Sequence, residues 1–189
     1  MAIALFISEQ YIKDMSYLDE NVDVKLIRPV IVEAQEMHIL PLIGTGLYNE
    51  ISTQINAGTL SALNTTLVNT YLAKSLKYWT LYEGIDVFTF KFTNKGILKR
   101  TSENGNTIEL SDDKRLMARL SDKAEWYDTR VKKYMMENSI SYPLYLDPGQ
   151  GIDTVRPKRQ TYRTGIVMGR RPKPDSIADI YENPNTYCD

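Results

Sequence analysis

Between Leu63 and Tyr82 the apolar side chains Leu63, Leu67, Val68, Tyr71, Leu72, Leu76, Trp79 and Tyr82 recur in steps of three and four. That spacing aligns them along one side of an α-helix, and the resulting stripe is broad. A face that wide needs cover from more than one neighbour, so the spacing predicts the central helix of a helical core. A second long period follows in Met117, Leu120, Ala124, Tyr127, Val131 and Tyr134. Ser111-Asp112-Asp113-Lys114 reads as its start, with the two acids complementing the helix dipole, and it is expected to end near Asn138.

Shorter helices fill in the first half. Ser8 reads as the N-cap of a helix reaching towards Leu18. Asn21 and Asp23 open another, with an apolar stripe of Ile27, Val30, Ile31, Ala34 and Met37. Pro29 leaves two options: a helix starting near Arg28 with the proline in its first turn, or a kink. Pro41 and Gly44 are expected to stop it. A further helix runs from about Gly46 to Asn56 and ends at Ala57-Gly58. Residues 84–92 read as a helix end giving way to an extended segment. Asn104-Gly105 within residues 96–111 is a hairpin turn signal. From Ser139 on, prolines and glycines punctuate the chain and no helical period survives. The expected fold is therefore mainly α: a compact bundle of four to five helices with a projecting β-hairpin at about 96–111 and a long extended C-terminal arm. The expected division is a helical domain at 1–139 and an interaction arm at 140–189, whose deletion should leave the helical core folded.

The chain has 189 residues, enough for one domain or one domain with appendages. Its lone cysteine, Cys188, allows no intrachain disulfide and no thiolate metal site. No apolar run approaches the roughly 18–20 residues that span a bilayer, and the first residues lack the basic start of a secretory leader. A cytosolic setting and no membrane partner are the expectation. Chemistry is sparsely signalled. His38 is the sole histidine and reads as a residue at the edge of an apolar stripe, without a nameable acid or nucleophile partner. Gly44-Thr45-Gly46 reads as a helix–helix turn, since a phosphate cradle would want a preceding strand and a following lysine. No catalytic, cofactor-binding or metal-ligating residue is expected, and no enzyme.

The most unusual stretch is TVRPKRQTYRTGIVMGRRPKP, residues 154–174. It holds seven cations (Arg156, Lys158, Arg159, Arg163, Arg170, Arg171, Lys173) and no acid, in a chain of net charge −1. The rest of the chain is acidic. The cations are interleaved with Tyr162, Ile166, Val167 and Met168, and tyrosine is abundant overall, with thirteen copies. Aromatic and aliphatic residues among the charges favour docking on a protein surface; phosphate neutralisation on nucleic acid and a solvated linker are the other two readings. Lys95, Lys99 and Arg100 beside the expected hairpin read either as phosphate contacts or as an ordinary solvated face.

The segment FISEQYIKDMSYLDENVDVKLIRPVIVEAQEMHILPLIGTGLYNEI resembles the start of head–tail connector proteins of tailed bacteriophages, also called head-completion or adaptor proteins, of the Bacteroides-infecting, crAss-like type. Asn21-Val22-Asp23, Pro29 with Ile31, Ala34 and Gln35, Leu40-Pro41-Leu42-Ile43-Gly44 and Leu47-Tyr48 carry the resemblance, and residues 60–83 look like the family's next core helix. It covers about residues 5–138, and the arm has no counterpart in the smaller connectors. The resemblance implies a structural virion protein at the head–tail neck, assembled in the host cytoplasm. It implies a homo-oligomeric ring, twelve copies being expected, docked under the portal and adjoining further neck or tail proteins. The arm would then bind a neighbouring subunit, the portal or the next ring, and the hairpin would face the portal or the channel, where packaged DNA passes. A nucleic-acid-binding protein using the basic arm is the alternative.

Overall fold

The computed structural model describes residues 3–94, 96–99 and 110–157. The fold is mainly helical. Ser8 caps α1 (Glu9–Met15) by accepting from the Tyr11 N–H at 3.0 Å. Asp23 caps α2 (Val24–Ala34) by accepting from the Lys25 N–H at 2.9 Å. Such caps satisfy donors that a helix start leaves without intrahelical partners. Pro29 lies inside α2 on its solvent side, so the helix starts a full turn before Arg28 and the carbonyl that loses its donor is on the exposed face.

Pro41 does not stop the helix. The chain widens into a π turn at Gln35–Ile39, where the Leu40 N–H reaches back to the Gln35 carbonyl, and continues as α3 (Leu40–Ile43) with Pro41 inside it. A proline crowds the carbonyl four residues back, and the widened turn directly before it takes up that crowding. The extra residue also changes the buried set. Ile39 succeeds Ala34 in the core and Gln35 is buried, while Met37, expected in the stripe, is 55% exposed. Gln35 uses its whole amide. Its Oε1 accepts from the Phe6 N–H at 2.8 Å and its Nε2 donates to the Ala4 carbonyl at 3.0 Å. The N-terminal segment is thereby tied to the bundle by these bonds to its backbone as well as by the burial of Phe6 and Ile7 in the core.

Gly44 ends α3 and leads into α4 (Thr45–Ala57), which closes at Gly58 in the left-handed region. Ser61 then caps α5 (Ala62–Thr66), which runs through a second π turn at Leu67–Leu72 into α6 (Ala73–Thr89). This is the central helix expected from the broad stripe, and it packs against both α2 and α7 (Leu110–Glu137). At the start of this run α5 overshoots the core: Leu63, expected in the stripe, is exposed and Asn64 is buried, bonded to Gln54 and Glu50 of α4. After Thr89 the chain becomes extended, as expected, and β1 (Phe90–Thr93) pairs antiparallel with β2 (Gly96–Lys99), so the described pairing begins ahead of the hairpin expected at 96–111, whose last two residues belong to α7. The expected Asn104-Gly105 turn lies outside the described residues. Among the described residues no helix is long and apolar enough to cross a membrane.

The division expected after residue 139 does not fall there. A 3-10 turn at Ser139–Ser141 leads to α8 (Pro143–Leu146), and Tyr142 and Tyr145 are both core residues. The Tyr142 hydroxyl donates to the Leu63 carbonyl at 2.9 Å, closing the overshooting end of α5. Prolines and glycines erased the periodicity in this stretch without removing its apolar anchors. Loss of one large aromatic from a core costs about 3–5 kcal/mol, against a stability of about 5–15 kcal/mol for a typical domain. A chain cut after residue 139 loses two. It is expected to melt without a cooperative transition, whereas a chain cut after residue 157 should retain one; far-UV circular dichroism on the two truncations checks this.

Candidate interaction site

Gly44 has a φ of +82°, in the region that favours glycine, and the backbone from Gly44 to Gly46 is open to close approach. The chain returns to it 110 residues later. Thr45 donates its N–H to the Val155 carbonyl at 3.1 Å, and Val155 donates its N–H to Thr45 Oγ1 at 2.9 Å. Pro157 is buried against Gly44, where an added Cβ would stand 2.8 Å from the proline Cδ. A Cβ on Gly46 would stand 2.9 Å from the Cα and carbonyl oxygen of Pro148. The Gly44-Thr45-Gly46 turn is thus a seat for residues 148–157, and both glycines are required by close contact.

A polar column runs across α6. The π turn aims His38 at α6, where its ring stacks on Trp79 (centroids 3.6 Å apart, 5° between planes) and its Nε2 lies 2.7 Å from Glu83 Oε1. Trp79 donates its Nε1–H to Asp128 Oδ2 at 3.2 Å, and the Ser75 hydroxyl donates to Asp128 Oδ1. Histidine, carboxylate and serine occur together here, but the indole separates His38 from Ser75. The geometry is that of a tie between α6, α7 and the π turn, with no nucleophile aligned on the imidazole. Among the described residues no group of three or more His, Cys, Asp or Glu side chains could hold a metal ion.

Along the α6–α7 seam, with Tyr11 of α1 close to Tyr78 and Tyr127, lies a strip of half-buried aromatic pairs and cations. Tyr71 stacks on Tyr134 at 4.1 Å and Tyr78 on Tyr127 at 5.5 Å. Lys77 and Lys123 place Nζ 4.4 and 5.5 Å from the Tyr78 ring centre. The Arg130 guanidinium lies 5.3 Å from the ring centre of Trp126, which is 58% exposed.

Of the residues that the sequence singled out, Arg156 is exposed at the seat, one residue past the Val155–Thr45 bonds. Lys99 closes β2 opposite Phe90. Lys95, Arg100, Lys158, Arg159, Tyr162, Arg163, Ile166, Val167, Met168, Arg170, Arg171 and Lys173 lie outside the described residues. Sequence reading missed the Thr45–Val155 pairing, for which two isolated residues give no local signal. It also missed the His38–Glu83 pair, formed between helices from residues that are 45 apart. The two glycines flanking a threonine were the available hint of a close approach.

Residues 39–155 match a family model described as "Family of unknown function (DUF6712)". No curated protein and no solved structure matches the chain. The matched span ends on Val155, so it takes in the Gly44–Gly46 seat and the segment that fills it as far as Val155, while Arg156 and Pro157 lie just past its end.

Two outcomes test this geometry. Gly46→Val drives a side chain into the Pro148 backbone and should free residues 148–157; hydrogen exchange at the Thr45 and Val155 amides should speed up by on the order of tenfold or more, while the α6 core amides keep their protection. The second concerns Asp128. Burial pushes its carboxyl above the ordinary 3.8, opposed by the Ser75 and Trp79 hydrogen bonds and by Lys132 and His38. The folded state then binds the proton more tightly than the unfolded one, so stability falls as pH rises through the folded pKa. Asp128→Asn should gain on the wild type between about pH 4 and neutrality; urea midpoints across that range check the trend, and a pH-independent difference would contradict it.

Proposed function

The chain belongs to the DUF6712 family of unknown function, and for it we propose a structural role: an adaptor protein that assembles with copies of itself and docks on a larger ring. The setting that the connector resemblance implies is the neck of a tailed phage, between portal and tail. The observation that carries this reading is the two-bond clamp between Val155 and Thr45, with Pro157 buried beside it. It fixes the root of the basic stretch to a rigid corner of the helical domain. A solvated linker needs no such root, whereas an arm that must reach a defined site on a partner does. The seven cations and interleaved apolar residues of 154–174 suit a partner surface that is acidic with apolar pockets. On this reading the arm is extended on a neighbour or on the portal. The hairpin expected at 96–111, with Lys95, Lys99 and Arg100, faces the portal or the channel. The chemistry is recognition, without a catalytic step, and the polar column of His38 and Asp128 serves packing.

Mixing the protein with the portal ring encoded near its gene and imaging by negative stain tests the proposal. Added ring density on one face of the portal is the expected result, and a chain ending at residue 157, which keeps the clamp, should lose it. Free portal rings beside unbound protein across concentration and salt would contradict the role. Steeply salt-dependent binding to DNA in place of portal binding would move the arm to the phosphate-neutralising alternative.

A further inference from the structure

The domain is electrically divided. Residues 1–57 hold eight acids against three cations (Lys13, Lys25, Arg28). Their exposed focus is the connection from α1 to α2, where Asp14, Asp19, Glu20 and Asp23 all face solvent. Of the cations nearby, Arg28 pairs with Glu9 at 2.7 Å, while the Lys13 ammonium donates to the Glu20 carbonyl at 2.7 Å and, like the exposed Lys25, offsets part of the acidic charge. Two large apolar side chains sit among these acids, Met15 at 59% and Tyr17 at 97% exposure. A tyrosine so fully exposed contributes nothing to its own domain.

The seam between α6 and α7 is richer in cations, although Asp122 and Glu125 are also exposed on α7. Lys77, Arg119, Lys123 and Arg130 have no carboxylate partner among the described residues, and Trp126 is the exposed apolar group beside them. Lys77, Lys123 and Arg130 are held over tyrosine and tryptophan rings, so these three are pre-arranged and lose little freedom on meeting an anion. The ring faces of Tyr71 and Tyr78 are already taken by Tyr134 and Tyr127 and by cations. That leaves little ring face for stacking nucleobases, and the strip is better suited to carboxylates.

We propose that the acidic α1–α2 knob of one copy, led by Tyr17 and Met15, docks on the cation–aromatic strip of the next copy. Knob and strip are made of different residues, so each copy can offer its knob to one neighbour and its strip to another, a head-to-tail contact that builds a ring where its rotation closes. Opposite charges set register and partner, and the aromatic and thioether contacts at the centre hold it. The purpose of such a ring rests on the adaptor reading above; the contact itself is tested on the purified full-length protein alone.

The test is a charge swap. Arg119, Lys123 and Arg130 are changed to Glu in one variant, and Asp14 and Glu20 to Lys in the other; the knob set leaves the Asp23 cap and the Asp19 turn intact. Sedimentation velocity at low ionic strength over a concentration series is the readout, with circular dichroism confirming that both variants fold. Wild type is expected to form species larger than a dimer. Each variant alone should associate on the order of tenfold or more weakly, since it brings like charges together. An equal mixture should recover, because each knob then meets a strip of opposite sign. A wild type that stays monomeric, stops at a dimer, or assembles as well as both variants overturns the proposal. So does a strip variant that assembles normally but loses binding to duplex DNA. Portal binding is read separately: portal decoration that survives both reversals overturns this contact and leaves the adaptor reading standing, while swap-dependent assembly without portal binding does the reverse.

Discussion

The buried amide of Gln35 is the constraint that organises the first half of the molecule. A fully buried primary amide is stable only if both its oxygen and its nitrogen find partners, since an orphan would cost about 1–3 kcal/mol. Gln35 finds them on the backbone of Phe6 and Ala4. That placement is available because the helix widens at Gln35–Ile39, and the same widening carries the helix into Pro41 and turns His38 onto Trp79. Three features that look unrelated along the chain, a buried glutamine, an internal proline and a stacked histidine, follow from one extra residue in one turn.

The helices that carry the fold were legible because their periods are long. Residues 63–82 and 117–134 repeat often enough that a few misplaced side chains do not change the reading. What was not legible is whatever depends on local departures from that period. A spacing of 3.6 residues per turn places Met37 inward, and the π turn reverses it. Pro41 was assigned as a stop, because sequence alone does not show whether the preceding turn will widen. The stretch after residue 139 lacks periodicity of any kind, yet Tyr142 and Tyr145 are among its most buried residues. Irregular backbone can enter a core through single large side chains, and no pattern announces them.

The candidate site had a different obstacle. Every contact that defines it joins residues distant in sequence and adjacent in space: Thr45 with Val155, Gly46 with Pro148, His38 with Glu83. Charge was visible but its arrangement was not. The basic arm could be read off the sequence because its cations fall within one short stretch with no acid among them. The strip on α6 and α7 could not, because Lys77 and Lys123 meet over Tyr78 only once two helices have packed. A count of charges gives a nearly neutral chain, whereas the folded surface separates them.

The clamp between Thr45 and Val155 also bears on the order of events during synthesis. The turn at Gly44–Gly46 emerges early, and its partner emerges 110 residues later. At about 5–20 residues per second of translation, that interval is on the order of ten seconds. Contacts so far apart in sequence contribute late to folding, because the intervening loop must be closed first. The anchor of the basic segment therefore forms only when nearly the whole helical domain has been made, so that a nascent chain has no rooted arm to offer to a partner.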